Sequence, residues 1–252
     1  MKKITGLVHL SICLCALLLS THARAQAAQY QVEMIAFARS ASTGDESWNR
    51  LYDLRYPPRS VTLQPADGSG APYQLLPDTA MQLNQAAAAI DHRHNMRVLL
   101  HVAWRQAVDA PAQAIAVALS GGRAFGLHRE LEGTFTLSFV DPYLRADTDL
   151  WLSEFSTDTA AASGQLLPTP PGELAPPAAD AMSTTGSQTP ASAQQYVVTQ
   201  TAVMQQRRRL RSGELHYFDH PLFGLVVLVT PVAAPADTTT TTAPTPATAE
   251  SH

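Results

Sequence analysis

The chain has 252 residues, of which 45% are hydrophobic and only 15% are charged, and its formal net charge is −4 at neutral pH. This acidic balance argues against nucleic acid or an acidic membrane surface as the main partner. The length is sufficient for a domain with its own hydrophobic core. The two cysteines and the two lysines all lie within the first 15 residues, which limits the chemistry available to the rest of the chain.

The first 25 residues have the features of a secretory signal peptide. Lys2 and Lys3 precede a mostly apolar run, and Ala23-Arg24-Ala25 offers small residues at the two positions that a signal peptidase recognises. We expect cleavage after Ala25, with cleavage after Ala27 as the alternative, and no membrane span afterwards. Of the 17 basic residues, 14 then remain against 21 acidic ones, so the mature chain has a net charge of −7.

Composition divides the remaining chain into folded and disordered stretches. Residues 26–155 and 195–232 are rich in strand-like segments, whereas residues 156–194 hold six of the 18 prolines among Ala, Ser and Thr. Such a segment buries too little surface to offset its ordering entropy, so we expect a disordered insertion there and a disordered tail over residues 233–252. The second folded stretch is too short for its own core, so we expect both to form one domain.

Alternation of apolar and polar residues predicts strands along most of both folded stretches. The predicted segments are residues 30–37, 98–105, 115–119, 131–139, 149–152, 197–211, 214–217 and 225–230. One face of the second segment holds the apolar residues Val98, Leu100, Val102 and Trp104. Ser212-Gly213 is expected to form a hairpin turn, and both Trp104 and Trp151 are expected in the core.

One helix is expected between the first two long strands. Asp78 can cap its start, apolar residues recur at helical spacing from Leu83 to Ile90, and Asn95 can end it. Short strands joined by short turns predict an α+β fold, with a mainly antiparallel β-sheet and one or two packed helices, interrupted by the disordered Pro/Ala/Ser/Thr-rich insertion.

The residue types left after signal cleavage exclude several catalytic sets. Cys13 and Cys15 leave with the signal peptide, so no disulfide, thiol nucleophile or thiolate metal ligand remains. Without lysine there is no Ser-x-x-Lys dyad, and the chain has no Gly-x-Ser-x-Gly motif. Glu130/Glu132 and Asp147/Asp149 each share a strand face, for which a solvated surface is the ordinary explanation and a glycosidase-like pair the alternative. The residues therefore give no recognisable catalytic set.

Histidines raise the question of a metal site. His92-x-His94 and His216-x-x-x-His220, with Asp219 beside the latter, supply ligand types that zinc uses. However, His216 and His220 are separated by a strand end and are not on a helix, and Asp219 suits a turn whose backbone amides its carboxylate would bind. We expect structural roles for these residues, and neither a metal nor another cofactor.

Arginines are the best binding candidates. A period of two places Arg207, Arg209 and Arg211 on one strand face, with neighbours about 7 Å apart. Such a row can clamp carboxylates or phosphates with bidentate hydrogen bonds, and an ordinary solvated strand face is the alternative. Trp48, in a polar loop or short helical turn, is a further candidate because it can stack on a sugar ring.

Several of these segments together resemble one protein family. They are residues 207–231, 96–106, 131–135, 143–144 and 149–152. On these motifs the chain resembles the CsiV family of peptidoglycan-binding proteins from Gram-negative periplasms, over residues 30–231 apart from the insertion. Pro142 and Arg145 depart from the basic residue and the histidine that the family tends to place around its Tyr-Leu pair. We assign motif or structural roles to Trp104, Arg105, Gln106, His216, Tyr217, Asp219, His220 and Pro221.

The resemblance implies a non-enzymatic periplasmic protein that binds the cell-wall polymer and supports cell-wall biogenesis and cell shape. It also implies that the protein helps to activate a bifunctional peptidoglycan synthase, a penicillin-binding protein, through the outer-membrane lipoprotein activator of that enzyme. Peptidoglycan and this lipoprotein are the expected partners. A peptidoglycan hydrolase, and an envelope assembly module that binds proteins through a sheet edge, are the alternatives.

Overall fold

The computed structural model describes residues 28–40, 51–171 and 195–232. The predicted signal peptide, Trp48 and the predicted C-terminal tail lie outside the described residues. Within them the chain forms nine strands, one α-helix (α1, Asn84–Asp91) and two short 3-10 turns (Asp78–Ala80 and Thr159–Ala161). The strands are β1 (Gln29–Arg39), β2 (Ser60–Thr62), β3 (Met96–Ala107), β4 (Ala116–Phe125), β5 (His128–Val140), β6 (Tyr143–Ser156), β7 (Val197–Leu210), β8 (Leu215–Asp219) and β9 (Phe223–Pro231).

The strands form two sheets. Sheet A has the order β3-β1-β9-β8 and is antiparallel throughout. Sheet B has the order β2-β4-β5-β6-β7, in which the short β2–β4 pair is parallel and the other pairs are antiparallel. The predicted mainly antiparallel β-structure is confirmed, and the described residues contain one of the one or two packed helices predicted. The alternation marked the strands but carried no information on how many sheets they would form.

The two sheets pack face to face around the main core. Its large, fully buried side chains come from both sheets and include Trp104, Phe135, Leu150, Met204 and Phe218. Full burial of a side chain of this size contributes about 1.5–3 kcal/mol relative to exposure. The core therefore holds together strands from both sides of the predicted insertion.

Helix α1 packs on the outer face of sheet A, against Ile35 and Leu228. Asp78 was predicted to cap it, but this is wrong: Asp78 begins a separate 3-10 turn and the helix begins at Asn84. The carboxylate of Glu33 in β1 accepts hydrogen bonds from the backbone N–H groups of Gln82 (2.7 Å) and Leu83 (2.8 Å). The cap is thus supplied by a strand 50 residues earlier in the chain, which local sequence patterns do not indicate.

The sides of this sandwich are bridged as well. On one side, bridges Gln64↔Gln74 and Leu75↔Trp104 continue the pairing from the β2 end of sheet B to the β3 edge of sheet A. On the other, the side chain of Gln206 donates to the carbonyl oxygen of Asp219 at 2.7 Å. This second seam joins edge strands β7 and β8.

Ser212-Gly213 do not form the hairpin turn that the sequence predicted. These residues do form a turn, but β7 and β8 belong to different sheets, so the turn carries the chain from sheet B to sheet A. The hairpin of this region is β8–β9, in which Asp219 pairs with Gly224. Turn residues predict a reversal of the chain but not which strands pair beside it.

The first part of the predicted insertion, residues 156–171, has defined contacts. Ser163 donates through its backbone N–H (2.8 Å) and its hydroxyl (2.9 Å) to the carbonyl oxygen of Val198. The Gln165 amide forms two hydrogen bonds with the backbone of Tyr52. Beside them, the ring of Tyr56 packs edge-on against Trp151 on the outer face of sheet B. Residues 172–194 lie outside the described residues.

Candidate binding site

Two of the three candidate arginines share the outer face of sheet B. Strand β7 is an edge strand, and its register places Arg207 opposite Asp147 and Arg209 opposite Arg145 on β6. Both arginine side chains are exposed. Arg211 lies just beyond the end of β7, in the turn towards β8. The predicted row therefore has two members on the strand and a third in the adjoining turn.

Arg207 shares a carboxylate with Arg145. The Arg207 Nε donates to Asp147 Oδ1, and the Arg145 Nε donates to Asp147 Oδ2 at 2.9 Å. The hydrogen bond and the charge of Asp147 raise the pKa of Arg207. Two guanidinium groups and one carboxylate leave this cluster with one net positive charge.

Arg209 stacks on an aromatic ring and has no acidic partner. Its guanidinium carbon lies 3.8 Å from the ring centroid of Tyr143, a cation–π contact. Within the described ranges no carboxylate lies at ion-pair distance from Arg209. The contact uses the face of the Tyr143 ring, so the positive charge remains available to a ligand.

A cleft of about 960 Å³ opens beside Arg209. We call it the end cleft, because it lies between the β5–β6 turn and the β7–β8 turn at one end of the sandwich. Its apolar lining includes Tyr30 and Phe139, and the side chain of Phe139 is 40% exposed although it is large and apolar. Its charged lining consists of Asp141, Arg209, Arg211 and Glu214. Aromatic walls with a few charged groups are typical of small-ligand sites.

The β7–β8 turn at the cleft is fixed by its own contacts. The guanidinium of Arg211 lies 3.7 Å from the carboxylate of Glu214. The His216 Nε2 atom lies 3.0 Å from both the backbone nitrogen and the backbone oxygen of Arg211. His216 therefore holds the turn, and Arg211 remains 82% exposed in its side chain.

Tyr217 and Asp219 belong to a separate cluster on sheet A. Asp219 Oδ1 lies 2.8 Å from an Arg39 guanidinium nitrogen and accepts a hydrogen bond from the Tyr217 hydroxyl at 2.6 Å. Burial and this bond to Asp219 raise the pKa of Tyr217 to about 12, while the same bond and Arg39 lower the pKa of Asp219. Asp219 does not bind the turn amides as predicted. The His220 Nδ1 atom accepts from the Leu222 N–H instead, at 3.2 Å.

The remaining motif residues are Trp104, Arg105, Gln106 and Pro221. Trp104 is fully buried, and its indole N–H donates to the Gln106 side chain at 2.7 Å. The carbonyl oxygen of Arg105 accepts from the backbone of Tyr73 at 2.8 Å. Pro221 is exposed in the β8–β9 turn. Both tryptophans predicted in the core have no exposed surface. Trp104 lies in the main core, whereas Trp151 is buried on the outer face of sheet B beside Tyr56.

The acidic pair of β5 is not the solvated surface that its spacing predicted. Glu130 and Glu132 are 5% and 1% exposed. Glu130 accepts from the Arg123 Nε at 2.7 Å and from Arg97 at 2.9 Å. Burial raises the pKa of Glu130, but the hydrogen bonds from the backbone N–H and the side chain of Arg123, together with that from Arg97, outweigh burial and hold this pKa below its ordinary value. Glu132 lies 3.1 Å from His128 Nδ1 and also accepts from the Trp151 indole.

Potential metal ligands are dispersed. His216 and His220 each contact the backbone of their own turn, and His92 and His94 follow the end of α1. The described part of the chain contains no group of three or more side chains arranged to hold a metal ion. None of its helices has the length and apolar character needed to cross a membrane.

Comparison with known families accounts for the motifs. A family model described as "Peptidoglycan-binding protein, CsiV" matches residues 7–232. The chain belongs to the CsiV family. The match includes the nine described strands, the end cleft and the arginines of β7, and a family that binds peptidoglycan works in the cell envelope. No curated protein and no solved structure matches the chain.

The sequence did not single out Tyr143, Phe139 or Asp141 as site residues. Tyr143 is the first residue of β6, and its contact with Arg209 depends on the β6–β7 register. Near Tyr143, that register joins residues 60 or more positions apart, across the predicted insertion. The cleft lining was therefore visible only after the strands had been paired.

Proposed function

We propose that this protein binds peptidoglycan without changing it chemically, and that the end cleft and the exposed arginines beside it form the binding site. The observation that carries this proposal is the guanidinium of Arg209, held 3.8 Å from the Tyr143 ring at an open cleft and without an acidic partner in the described ranges. Peptidoglycan stem peptides carry carboxylates, and arginine binds a carboxylate through two hydrogen bonds. The family match supports the polymer as the ligand.

Local charge also supports the site. The mature chain is expected to be acidic, so a carboxylate-bearing polymer needs a local positive surface. On the outer face of sheet B, Arg145 and Arg207 share the carboxylate of Asp147, and Arg209 lies opposite Arg145 in the strand register. Exposed contacts of this kind contribute about 1 kcal/mol or less each. We therefore expect moderate affinity that decreases as salt is added.

The described contacts favour neither a hydrolase nor an assembly module that binds through the edges of sheet A. A glycosidase-like pair needs two accessible carboxyl groups, whereas Glu130 and Glu132 are buried and hydrogen-bonded. In the other candidate pair, Asp147 forms ion pairs with two arginines and Asp149 accepts a hydrogen bond from the Gln205 side chain. A free sheet edge needs unbonded backbone groups. At the β8 edge, however, the carbonyl oxygen of Tyr217 accepts from the Arg208 side chain, and at the β3 edge that of Ala103 accepts from the Leu76 N–H.

We extend the proposal to the role that the family resemblance implies. The protein is exported by a cleaved signal peptide and acts in the periplasm as an adaptor. There it helps to activate a bifunctional peptidoglycan synthase through the outer-membrane lipoprotein activator of that enzyme. Intact-mass measurement of the periplasmic protein tests export, with Gln26 expected as the first residue. A pull-down with purified lipoprotein, with and without sacculi, tests the adaptor role.

Sedimentation with purified sacculi tests the proposed function. The parent protein should co-sediment, and binding should weaken with added salt. A variant with Arg207→Gln, Arg209→Gln and Arg211→Gln should bind roughly ten- to a hundredfold more weakly, since each 1.4 kcal/mol corresponds to a factor of about ten. Unchanged, salt-insensitive binding by a folded triple variant would place the site elsewhere. Clearing of the wall polymer in a zymogram would support the hydrolase instead.

A further inference from the structure

The end cleft presents one unpaired charge of each sign. Arg209 has no acidic partner among the described residues, as shown above. Asp141 is exposed at the β5–β6 turn and lines the same cleft. Within the described ranges its carboxylate has neither an ion pair nor a hydrogen bond. The other two charged groups of the cleft, Arg211 and Glu214, lie 3.7 Å apart and partner each other.

These two opposite charges distinguish between the glycan strand and the stem peptide as the ligand of the cleft. A ligand that satisfies both Arg209 and Asp141 must carry a carboxylate and a cationic group on one small framework. The N-acetylated sugars of the glycan strand carry no cationic group. A stem peptide that contains a diamino acid carries both a carboxylate and an ammonium group. Its short apolar side chains also suit a cleft lined by Tyr30 and Phe139.

We propose that the end cleft recognises stem peptides whose diamino acid still has its free ammonium group, so that the protein prefers wall that has not been cross-linked. Arg209 binds the peptide carboxylate and Asp141 binds the ammonium. Cross-linking converts that ammonium into a neutral amide and removes the partner of Asp141. This inference rests on the proposed function, because it assumes that the end cleft is the peptidoglycan site.

Calorimetric titration of the full mature chain with synthetic stem tripeptides tests the inference. Three peptides are compared. The first has both a free side-chain amine and a free C-terminal carboxylate, the second is acetylated at that amine, and the third is amidated at that carboxylate. The parent protein should bind the free-amine peptide three- to tenfold more tightly than either modified peptide. Asp141→Asn should abolish the preference for the free amine, and Arg209→Gln should abolish the preference for the free carboxylate.

A matched control lies on the neighbouring strand. Asp149 is on β6, outside the cleft, and accepts a hydrogen bond from the Gln205 side chain. Asp149→Asn removes one negative charge, as Asp141→Asn does, but it should keep the preference for the free amine. Loss of that preference in both variants would show that overall charge, and not the cleft, governs binding, and would overturn the inference.

Sacculus sedimentation separates the two proposals. If Arg209→Gln weakens sacculus binding but the parent protein binds the free and acetylated peptides equally, the inference is wrong and the proposed function stands. Binding to sacculi with no binding to any peptide would likewise overturn the inference and indicate the glycan as the ligand. If Arg209→Gln and the parent protein sediment equally with sacculi, the proposed site itself is wrong.

Discussion

The guanidinium carbon of Arg208 lies 5.3 Å from the ring centroid of Phe218, and the same side chain donates to the carbonyl oxygen of Tyr217 at 2.9 Å. Arg208 thereby joins β7 of sheet B to β8 of sheet A. Its sequence neighbours Arg207 and Arg209 lie on the opposite face of β7, away from this seam. Three consecutive arginines thus divide between a structural contact and an exposed cationic surface.

Replacement of the middle arginine should therefore affect stability and not binding. We predict that Arg208→Gln lowers the free energy of unfolding by about 1 kcal/mol, because the cation–π contact is lost while a shorter amide remains. Urea denaturation measures this loss. Sacculus binding should stay within about twofold of the parent value. Unchanged stability together with lost binding would reverse the roles assigned to these arginines.

Gly224 is required by the packing of two aromatic side chains. A Cβ at this position would lie 2.5 Å from Phe37 Cζ and 3.0 Å from the Tyr217 hydroxyl oxygen. We predict that Gly224→Ala destabilises the protein by about 1–3 kcal/mol, as is usual for overpacking. Thermal or urea denaturation measures the change. Combining it with Phe37→Leu should cost less than the sum of the two single variants, and strict additivity would contradict the proposed clash.

The helix cap gives a direct contrast between a sequence-predicted residue and the residue that the structure shows. Glu33→Gln weakens the charge-assisted bonds to the Gln82 and Leu83 amides, and we predict a loss of about 1–3 kcal/mol in the free energy of unfolding. Hydrogen exchange of those amides should accelerate. Asp78→Ala, at the position predicted from sequence, should change stability by less than about 0.5 kcal/mol. A larger effect for Asp78→Ala than for Glu33→Gln would contradict this cap.

Acid should weaken the fold partly through Glu130. Its pKa in the folded protein lies below its ordinary value of 4.5 because the bonds from Arg123 and Arg97 outweigh the effect of burial. The unfolded chain therefore binds the proton first as the pH falls, which favours unfolding. This stabilising contribution is complete above about pH 4.5 and is lost as the pH falls through the folded pKa.

The measurement is the free energy of unfolding against pH. The parent protein should lose stability below pH 4.5, and Glu130→Gln should show a smaller slope there. Arg97→Gln should also reduce the slope, since it removes one of the bonds that lower this pKa. A slope unchanged in both variants would show that Glu130 does not contribute to acid unfolding.

Local patterns predicted the strands well because a half-buried strand must alternate its side chains. These patterns failed where a register shift moves the alternation of side chains by one residue. In β3, Val98 and Leu100 were predicted on one face, but a register shift beside Ala36 and Phe37 intervenes. Leu99 enters the main core as a result, while Val98 packs towards the helix. Such an irregularity depends on the partner strand and has no signature in β3 itself.

The same reasoning applies to the site. The spacing of Arg207 and Arg209 correctly placed both on an outer strand face, because that follows from the period of two. The contacts that these two arginines make did not follow from the spacing. Asp147 and Tyr143 reach these arginines only through the pairing of β6 with β7, and Glu130 became buried because arginines from two strands converge on it. Long-range pairing decides these contacts, and sequence spacing does not encode it.

The most direct test of the account compares two single variants in sacculus sedimentation at low and physiological salt. Arg209→Gln and Arg208→Gln make the same chemical change at adjacent positions on opposite faces of β7. The account predicts that Arg209→Gln weakens binding by roughly three- to tenfold, as expected for the loss of about 1 kcal/mol, while Arg208→Gln binds like the parent protein. Equal binding by both variants, or weaker binding by Arg208→Gln alone, would contradict the assignment of the end cleft as the peptidoglycan site.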